Sequence, residues 1–123
     1  YTFVIDFADG SQKTYQDKVK SWVVAAPVVS VTTGAGTAMI KWTRPSVSNA
    51  RSYGVNVYLG ADGESEPIWR SSEDLPLTQI STAFNADGTA TGSLVSGESY
   101  TAMVTVFDIY GNNSFRTCEF TMP

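Results

Sequence analysis

Residues 94–107 read LVSGESYTAMVTVF and contain the most regular alternation in the sequence. A turn at Gly97 leads into a run from Tyr100 to Phe107 in which successive residues fall into two sets. Tyr, Ala, Val and Val share one face, whereas Thr, Met, Thr and Phe share the other. A period of two over this length predicts a β-strand with one face toward a core.

Further alternating runs lie on both sides of this strand. The residues that they direct toward the core are Ala38, Ile40 and Trp42; Tyr53, Val55, Val57 and Leu59; and Cys118, Phe120 and Met122. Weaker strand-like runs are Val28–Thr32, Ile68–Arg70, Thr78–Phe84 and Thr89–Leu94, the last two on either side of a turn at 85–88. Because clusters of Gly, Pro, Asn and Asp separate the runs, the sequence predicts an all-β fold.

Over residues 27–123 the order of these features resembles a fibronectin type III domain. The sequence from Leu94 to Tyr100 is similar to the family's Leu-x-Pro-Gly-x-x-Tyr corner, although Ser96 stands where proline is common. Trp42 with its trailing proline, the Tyr53-x-Val55 pair and an opening proline match three further motifs of the family. The resemblance implies a two-sheet antiparallel, immunoglobulin-like sandwich. The residues expected to be structural in it are Trp42, Leu94, Gly97 and Tyr100.

Residues 1–24 precede the resemblance, with a boundary near residues 24–27. Tyr1–Phe7 alternates, and Asp9-Gly10 suits a tight hairpin turn. Residues 12–24 can return as the partner strand, with a helical turn at 17–22 as the alternative. Since a lone hairpin is marginal in water, this one must cover something. It is the tail of an upstream domain, it packs on the sandwich, or it mediates self-association with a second copy.

The sequence lacks the residues that most enzyme and metal sites need. It contains no histidine and one cysteine, Cys118, so nucleophile–histidine pairs and Cys/His zinc sites are excluded. Asp62-Gly63-Glu64 lacks the spacing of a calcium loop, and nothing places the adjacent Glu73 and Asp74 across a cleft. We therefore predict a chain that is not an enzyme and has no metal and no cofactor. Cys118 is predicted to be a buried, inert thiol.

The charge distribution limits the partners. The formal net charge is −4, which argues against nucleic acid, and no apolar run is long enough to span a membrane. Residues 1–44 carry a net charge of +2 and residues 45–123 a net charge of −6. This asymmetry indicates either ordinary solvated faces or oppositely charged ends that join modules head to tail.

Binding is expected at loops and edges, where aromatic and polar side chains coincide. The candidate ligand-binding residues are Trp69, Arg70, Phe107, Tyr110, Asn112 and Asn113. Alternatively, Trp69 and Phe107 pack against the hairpin or a neighbouring domain.

The function predicted from these features is a non-catalytic interaction or spacer module, extracellular or on a cell surface, with a role in cell adhesion. Its partners would be neighbouring domains of the same polypeptide and a protein or glycan ligand. The hairpin leading into a sandwich also resembles linkages in bacterial surface proteins, including lipoproteins. The alternative is an accessory carbohydrate-binding domain of a glycan-capturing or glycan-degrading system.

Overall fold

A computed structural model describes residues 2–16, 26–46, 48–61 and 65–123. These residues form antiparallel β-strands and no helix, so none could cross a membrane as a helix. The strands are β1 Thr2–Asp6, β2 Gln12–Gln16, β3 Val29–Gly34, β4 Thr37–Trp42, β5 Ala50–Leu59, β6 Trp69–Arg70, β7 Leu75–Pro76, β8 Ser81–Ala83, β9 Ser99–Asp108 and β10 Asn113–Thr121. The predicted strand beyond residue 16 and its helical alternative at 17–22 lie outside the described residues.

Eight of these strands form two sheets that enclose one core. The first sheet has the order β10-β9-β5-β6, with β7 also paired to β5, and the second has the order β3-β4-β8. The long strands β5 and β9 are neighbours, with Val55 opposite Val104 and Leu59 opposite Tyr100. The predicted all-β, two-sheet antiparallel sandwich is confirmed.

The core lies between the inward faces of β4, β5 and β9. Tyr53, Val55 and Val104 are fully buried, as the period of two predicts for strands with one face on a core. The Trp42 ring also lies inside, edge-on to Tyr53, with 5.3 Å between ring centroids. An edge-to-face pair adds to the stabilisation from the area that two large aromatic rings bury.

The segment before β9 is a tyrosine corner. The Val95 backbone N–H donates to the Tyr100 hydroxyl at 2.8 Å, and that hydroxyl donates to the Ser93 carbonyl at 3.3 Å. Gly97 has a φ of 82°, which favours glycine, and its N–H donates to the Met122 carbonyl. The corner therefore ties the segment before β9 to Met122, the residue that follows β10.

Three sequence predictions about the sandwich are wrong. Leu59 is exposed, because it is the last residue of β5 and lies at an open end of the sandwich. Cys118 is only half-buried, because β10 is an edge strand with a neighbour on one side. The two strands predicted within residues 78–94 are also wrong, because this region contains only the three-residue strand β8. The backbone N–H groups that follow β8 do not bond to a neighbouring strand: the Ala90 N–H donates to Asn85 Oδ1, and the Thr91 N–H donates to the Ile68 carbonyl in a loop.

The N-terminal hairpin is present as predicted. β1 and β2 form a separate two-stranded antiparallel sheet that pairs with no other described strand. Its turn is fixed by Asp9, whose Oδ1 accepts bonds from the Ser11 N–H at 2.9 Å and the Ser11 hydroxyl at 2.6 Å. Val4 and Phe7 are exposed on it. Whether an upstream domain, the sandwich or a second copy of the chain covers this hairpin stays a prediction.

Candidate binding surface at the β9–β10 turn

The connection between β9 and β10 is built around one buried carboxylate. Asp108 ends β9, and its Oδ1 accepts bonds from the backbone N–H groups of Tyr110 and Asn112, each at 2.8 Å. Its Oδ2 accepts bonds from the side-chain amides of Asn112 at 3.0 Å and Asn49 at 3.2 Å. Gly111 allows the chain to reverse with a φ of 82°. A single side chain thus braces the whole turn.

The hydrogen bonds also keep this carboxyl group ionised. Burial raises the pKa of Asp108, but the bonds donated by Asn112, Tyr110 and Asn49 outweigh that effect and hold its pKa below the ordinary value. A charged acceptor makes stronger bonds than a neutral one. The brace is therefore at full strength at neutral pH.

The braced turn displays two large side chains to solvent. Ile109 is 60% exposed and Tyr110 is 50% exposed. The Ile109 N–H donates to the Asn49 carbonyl at 3.0 Å, which fastens the tip to the β4–β5 connection. A loop that is already ordered loses less conformational freedom when it binds a partner. The turn is therefore suited to presenting the apolar Ile109 side chain and the Tyr110 phenol ring, which together form its tip.

Trp69 does not belong to this surface, and the prediction that it is exposed is wrong. It is 2% exposed, because β6 pairs Trp69 with Val57 and both side chains point into the core. Its ring lies edge-on to Phe84, with 5.7 Å between centroids, and its indole N–H donates to Asp87 Oδ1 at 2.8 Å. It packs within its own sandwich, so packing of Trp69 against the hairpin or another domain is also wrong.

Arg70 and Phe107 lie on the outer face of the first sheet. Arg70 is on the far edge strand β6 and pairs with Glu66 at 3.1 Å in an exposed ion pair, which adds little stability. Phe107 is half-buried, and its ring lies over Gly54, where an added Cβ would come within 3.2 Å of Phe107 Cε2. Phe107 therefore packs on its own sheet.

Of the six candidate residues, the structure brings together Tyr110, Asn112 and Asn113, with Phe107 opposite Asn113 in the β9–β10 ladder. The Asn112 side chain is engaged by Asp108, so its role here is to brace the turn. Sequence reasoning missed Ile109, although an isoleucine two residues before a turn glycine indicates an apolar side chain on an exposed turn. It also missed Asn49, for which the sequence gives no signal.

The described residues contain no group of three or more side chains that could hold a metal ion. Two antiparallel sheets, an interior tryptophan and a tyrosine corner before the central strand together define a fibronectin type III-like fold.

Solved structures share the fold. The FN1-FN3 domains of chicken CNTN1 match with a TM-score of 0.59 and 19% identity over 80% of this chain and 32% of that one. An Fn3-like protein from Clostridium thermocellum matches with a TM-score of 0.55 and 19% identity, over 82% of this chain and 95% of its own. The Clostridium perfringens spore cortex lytic enzyme SleM matches with a TM-score of 0.55 and 16% identity, over 80% and 27%.

These identities support the fold alone. The chain spans about a third of the chicken structure and about a quarter of the lytic enzyme. No family model matches the sequence, and no curated protein matches it.

Proposed function

We propose that this chain is a non-catalytic interaction module, extracellular or on a cell surface, that presents the β9–β10 turn to a protein ligand and links neighbouring domains of its polypeptide. The observation that carries the proposal is the bracing of the turn by Asp108, which holds Ile109 and Tyr110 in the open. Binding residues commonly lie on loops that a rigid scaffold positions.

The chemistry of the tip favours a protein ligand over a glycan. Tyrosine is enriched among the residues that dominate protein interfaces, and an aliphatic neighbour adds apolar area. A sugar ring needs an aromatic face with free polar groups beside it. Trp69 is buried and the Asn112 amide is engaged, which leaves Tyr110 and Asn113 for that role.

The proposal is tested with the full chain immobilised and probed with an array of purified ectodomains and with a glycan array. For each ligand found, Tyr110→Ala and Ile109→Ala are compared with Met39→Ala, an exposed residue on the opposite sheet. We expect protein ligands whose affinity falls at least about tenfold with the turn variants, as for interface hot spots, and is unchanged by the control.

Two results contradict the proposal. Glycan ligands lost with Tyr110→Ala would make the chain a carbohydrate-binding module. Protein ligands that tolerate both turn variants would place the binding surface elsewhere on the sandwich.

A further inference from the structure

The sandwich has two ends of different character. We call one the turn pole: β5 begins and β9 ends there, and β4 ends beside them, with the Trp42 ring against Tyr53 near the start of β5. We call the other the corner pole: β5 and β10 end there, beside the tyrosine corner at the start of β9. The ten residues of β9 separate the poles by about 33 Å.

The turn pole carries an open groove of about 450 Å³ on the second sheet, lined by Val28, Lys41, Thr43 and Ile80 among others. Val28 and Ile80 are more than half exposed. The groove walls are fixed: the Thr43 N–H donates to the Val28 carbonyl at 3.0 Å, and the Trp42 N–H donates to the Ile80 carbonyl at 2.9 Å. Lys41 is the one charged side chain in the lining, and it has no ion pair among the described residues.

The corner pole carries a second open groove, of about 350 Å³. Leu59, Ile68, Val95 and Tyr100 give it an apolar lining, and Glu98 is its one charged side chain. Leu59 and Val95 are at least half exposed. Glu98 is exposed and, within the part of the chain that is described, makes no ion pair.

We propose that the turn-pole groove of one copy docks against the corner-pole groove of a second copy, in a head-to-tail contact. Each groove offers two exposed aliphatic side chains and one unpaired charge, and the two charges are opposite. Docking would bury the aliphatic residues and bring Lys41 toward Glu98. This inference goes beyond the proposed function, which concerns a protein ligand and the neighbouring domains of one polypeptide, because the contact here joins two separate copies of the chain.

The charges also disfavour the symmetric alternatives. A contact between two turn poles would oppose Lys41 to Lys41, and one between two corner poles would oppose Glu98 to Glu98. Like charges across an interface are unfavourable, so the head-to-tail arrangement is preferred. Heterologous contacts of this kind repeat from copy to copy, and they build either a closed ring or an open chain.

The test is the mass of the full chain in sedimentation velocity, at concentrations up to about 1 mM because small interfaces are weak. Ile80→Asp blocks the turn pole, and Val95→Asp blocks the corner pole. Both residues are exposed, so both variants are expected to fold. We expect the average mass of the wild type to rise with concentration, and each variant alone to remain monomeric.

The decisive sample is an equimolar mixture of the two variants. It retains one intact pole of each kind, so it should recover a dimer and nothing larger. Val4→Asp in the hairpin is the control and should associate like the wild type. A monomeric wild type, a mixture that stays monomeric, or loss of association in Val4→Asp would each overturn the proposal. Because ligand binding through Tyr110 is measured separately, failure here leaves the proposed function standing.

Discussion

The indole N–H of Trp69 donates a 2.8 Å hydrogen bond to Oδ1 of Asp87, and this bond joins the edge strand β6 of one sheet to the turn after β8 in the other. The same oxygen accepts bonds from the Thr89 N–H at 3.1 Å and the Thr89 hydroxyl at 2.8 Å. Asp87 therefore fixes a buried tryptophan and an irregular segment at once.

Replacing Asp87 by Ala should lower the stability of the sandwich. The Trp69 N–H would be left buried without its acceptor, and the 84–90 turn would lose its brace. We expect the midpoint of urea unfolding to fall and the tryptophan fluorescence of the folded state to change. Asp87→Asn keeps an acceptor oxygen and should lie between Ala and the wild type. An unchanged midpoint in Asp87→Ala would show that the bond contributes nothing.

The stability of the chain should fall in acid. Bonds from Trp69 and Thr89 lower the pKa of Asp87, bonds from Ser11 lower the pKa of Asp9, and the hydrogen bonds around Asp108 lower its pKa despite burial. A carboxyl group whose folded pKa is depressed stabilises the fold above its unfolded pKa. This contribution is lost as pH falls through the folded pKa.

We therefore expect a free energy of unfolding that is level above about pH 5 and declines below about pH 4. Urea titrations between pH 2 and 7 measure it. The double variant Asp87→Asn, Asp108→Asn should show a shallower decline than the wild type. An equal slope in both proteins would mean that other carboxyl groups cause the acid sensitivity.

Removing the Tyr100 hydroxyl from the tyrosine corner should lower the stability of the fold. Tyr100→Phe leaves the Val95 N–H without its 2.8 Å acceptor and the Ser93 carbonyl without its donor. Loss of these partly buried hydrogen bonds should reduce the free energy of unfolding by about 1 kcal/mol. Tyr110→Phe, at a half-exposed ring, is the matched control and should change it little. Equal effects of the two substitutions would contradict the corner's role.

Gly54 makes room for the Phe107 ring. Its φ is not positive, so the backbone conformation itself would accept an alanine. The alanine Cβ would, however, lie 3.2 Å from Phe107 Cε2 and crowd that ring. We expect Gly54→Ala to destabilise the fold by about 1 kcal/mol through overpacking. Adding Phe107→Leu should relieve part of this loss, and a double-mutant cycle measures the coupling. Strictly additive effects would show that the ring does not limit the site.

The sequence predicts the long strands well because each repeats its period several times. Ten-residue β5 and β9 keep Tyr53, Val55 and Val104 on one face, and no turn interrupts the pattern. Leu59 follows the same period but is exposed. The alternation predicts which face of the sheet a side chain lies on, but it does not predict where along the strand the sandwich ends. The burial of Trp69 could not be predicted, since a two-residue strand has no period. Its direction comes from pairing with Val57, twelve positions earlier.

The candidate surface was predicted in part for similar reasons. Asp108 before a Gly-Asn turn signals a local brace, because an aspartate side chain readily bonds backbone N–H groups nearby. Asn49 joins that brace from 59 positions away, and only the tertiary fold brings it there. Asn112 looks like a free amide in the sequence but is one of the donors that hold the turn.

The brace at Asp108 should control the order of the turn without controlling the fold. Asp108→Ala removes the acceptor for the Tyr110 and Asn112 N–H groups, so hydrogen exchange at these two amides should accelerate. Amides in the middle of β9, such as that of Val104, should keep their protection. Asp108→Asn retains one carbonyl oxygen and should give intermediate rates. If the two turn amides exchange as slowly in Asp108→Ala as in the wild type, another contact holds the turn. If protection is lost throughout β9 as well, the brace supports the whole sandwich, and loss of ligand binding in this variant would then say nothing about the tip.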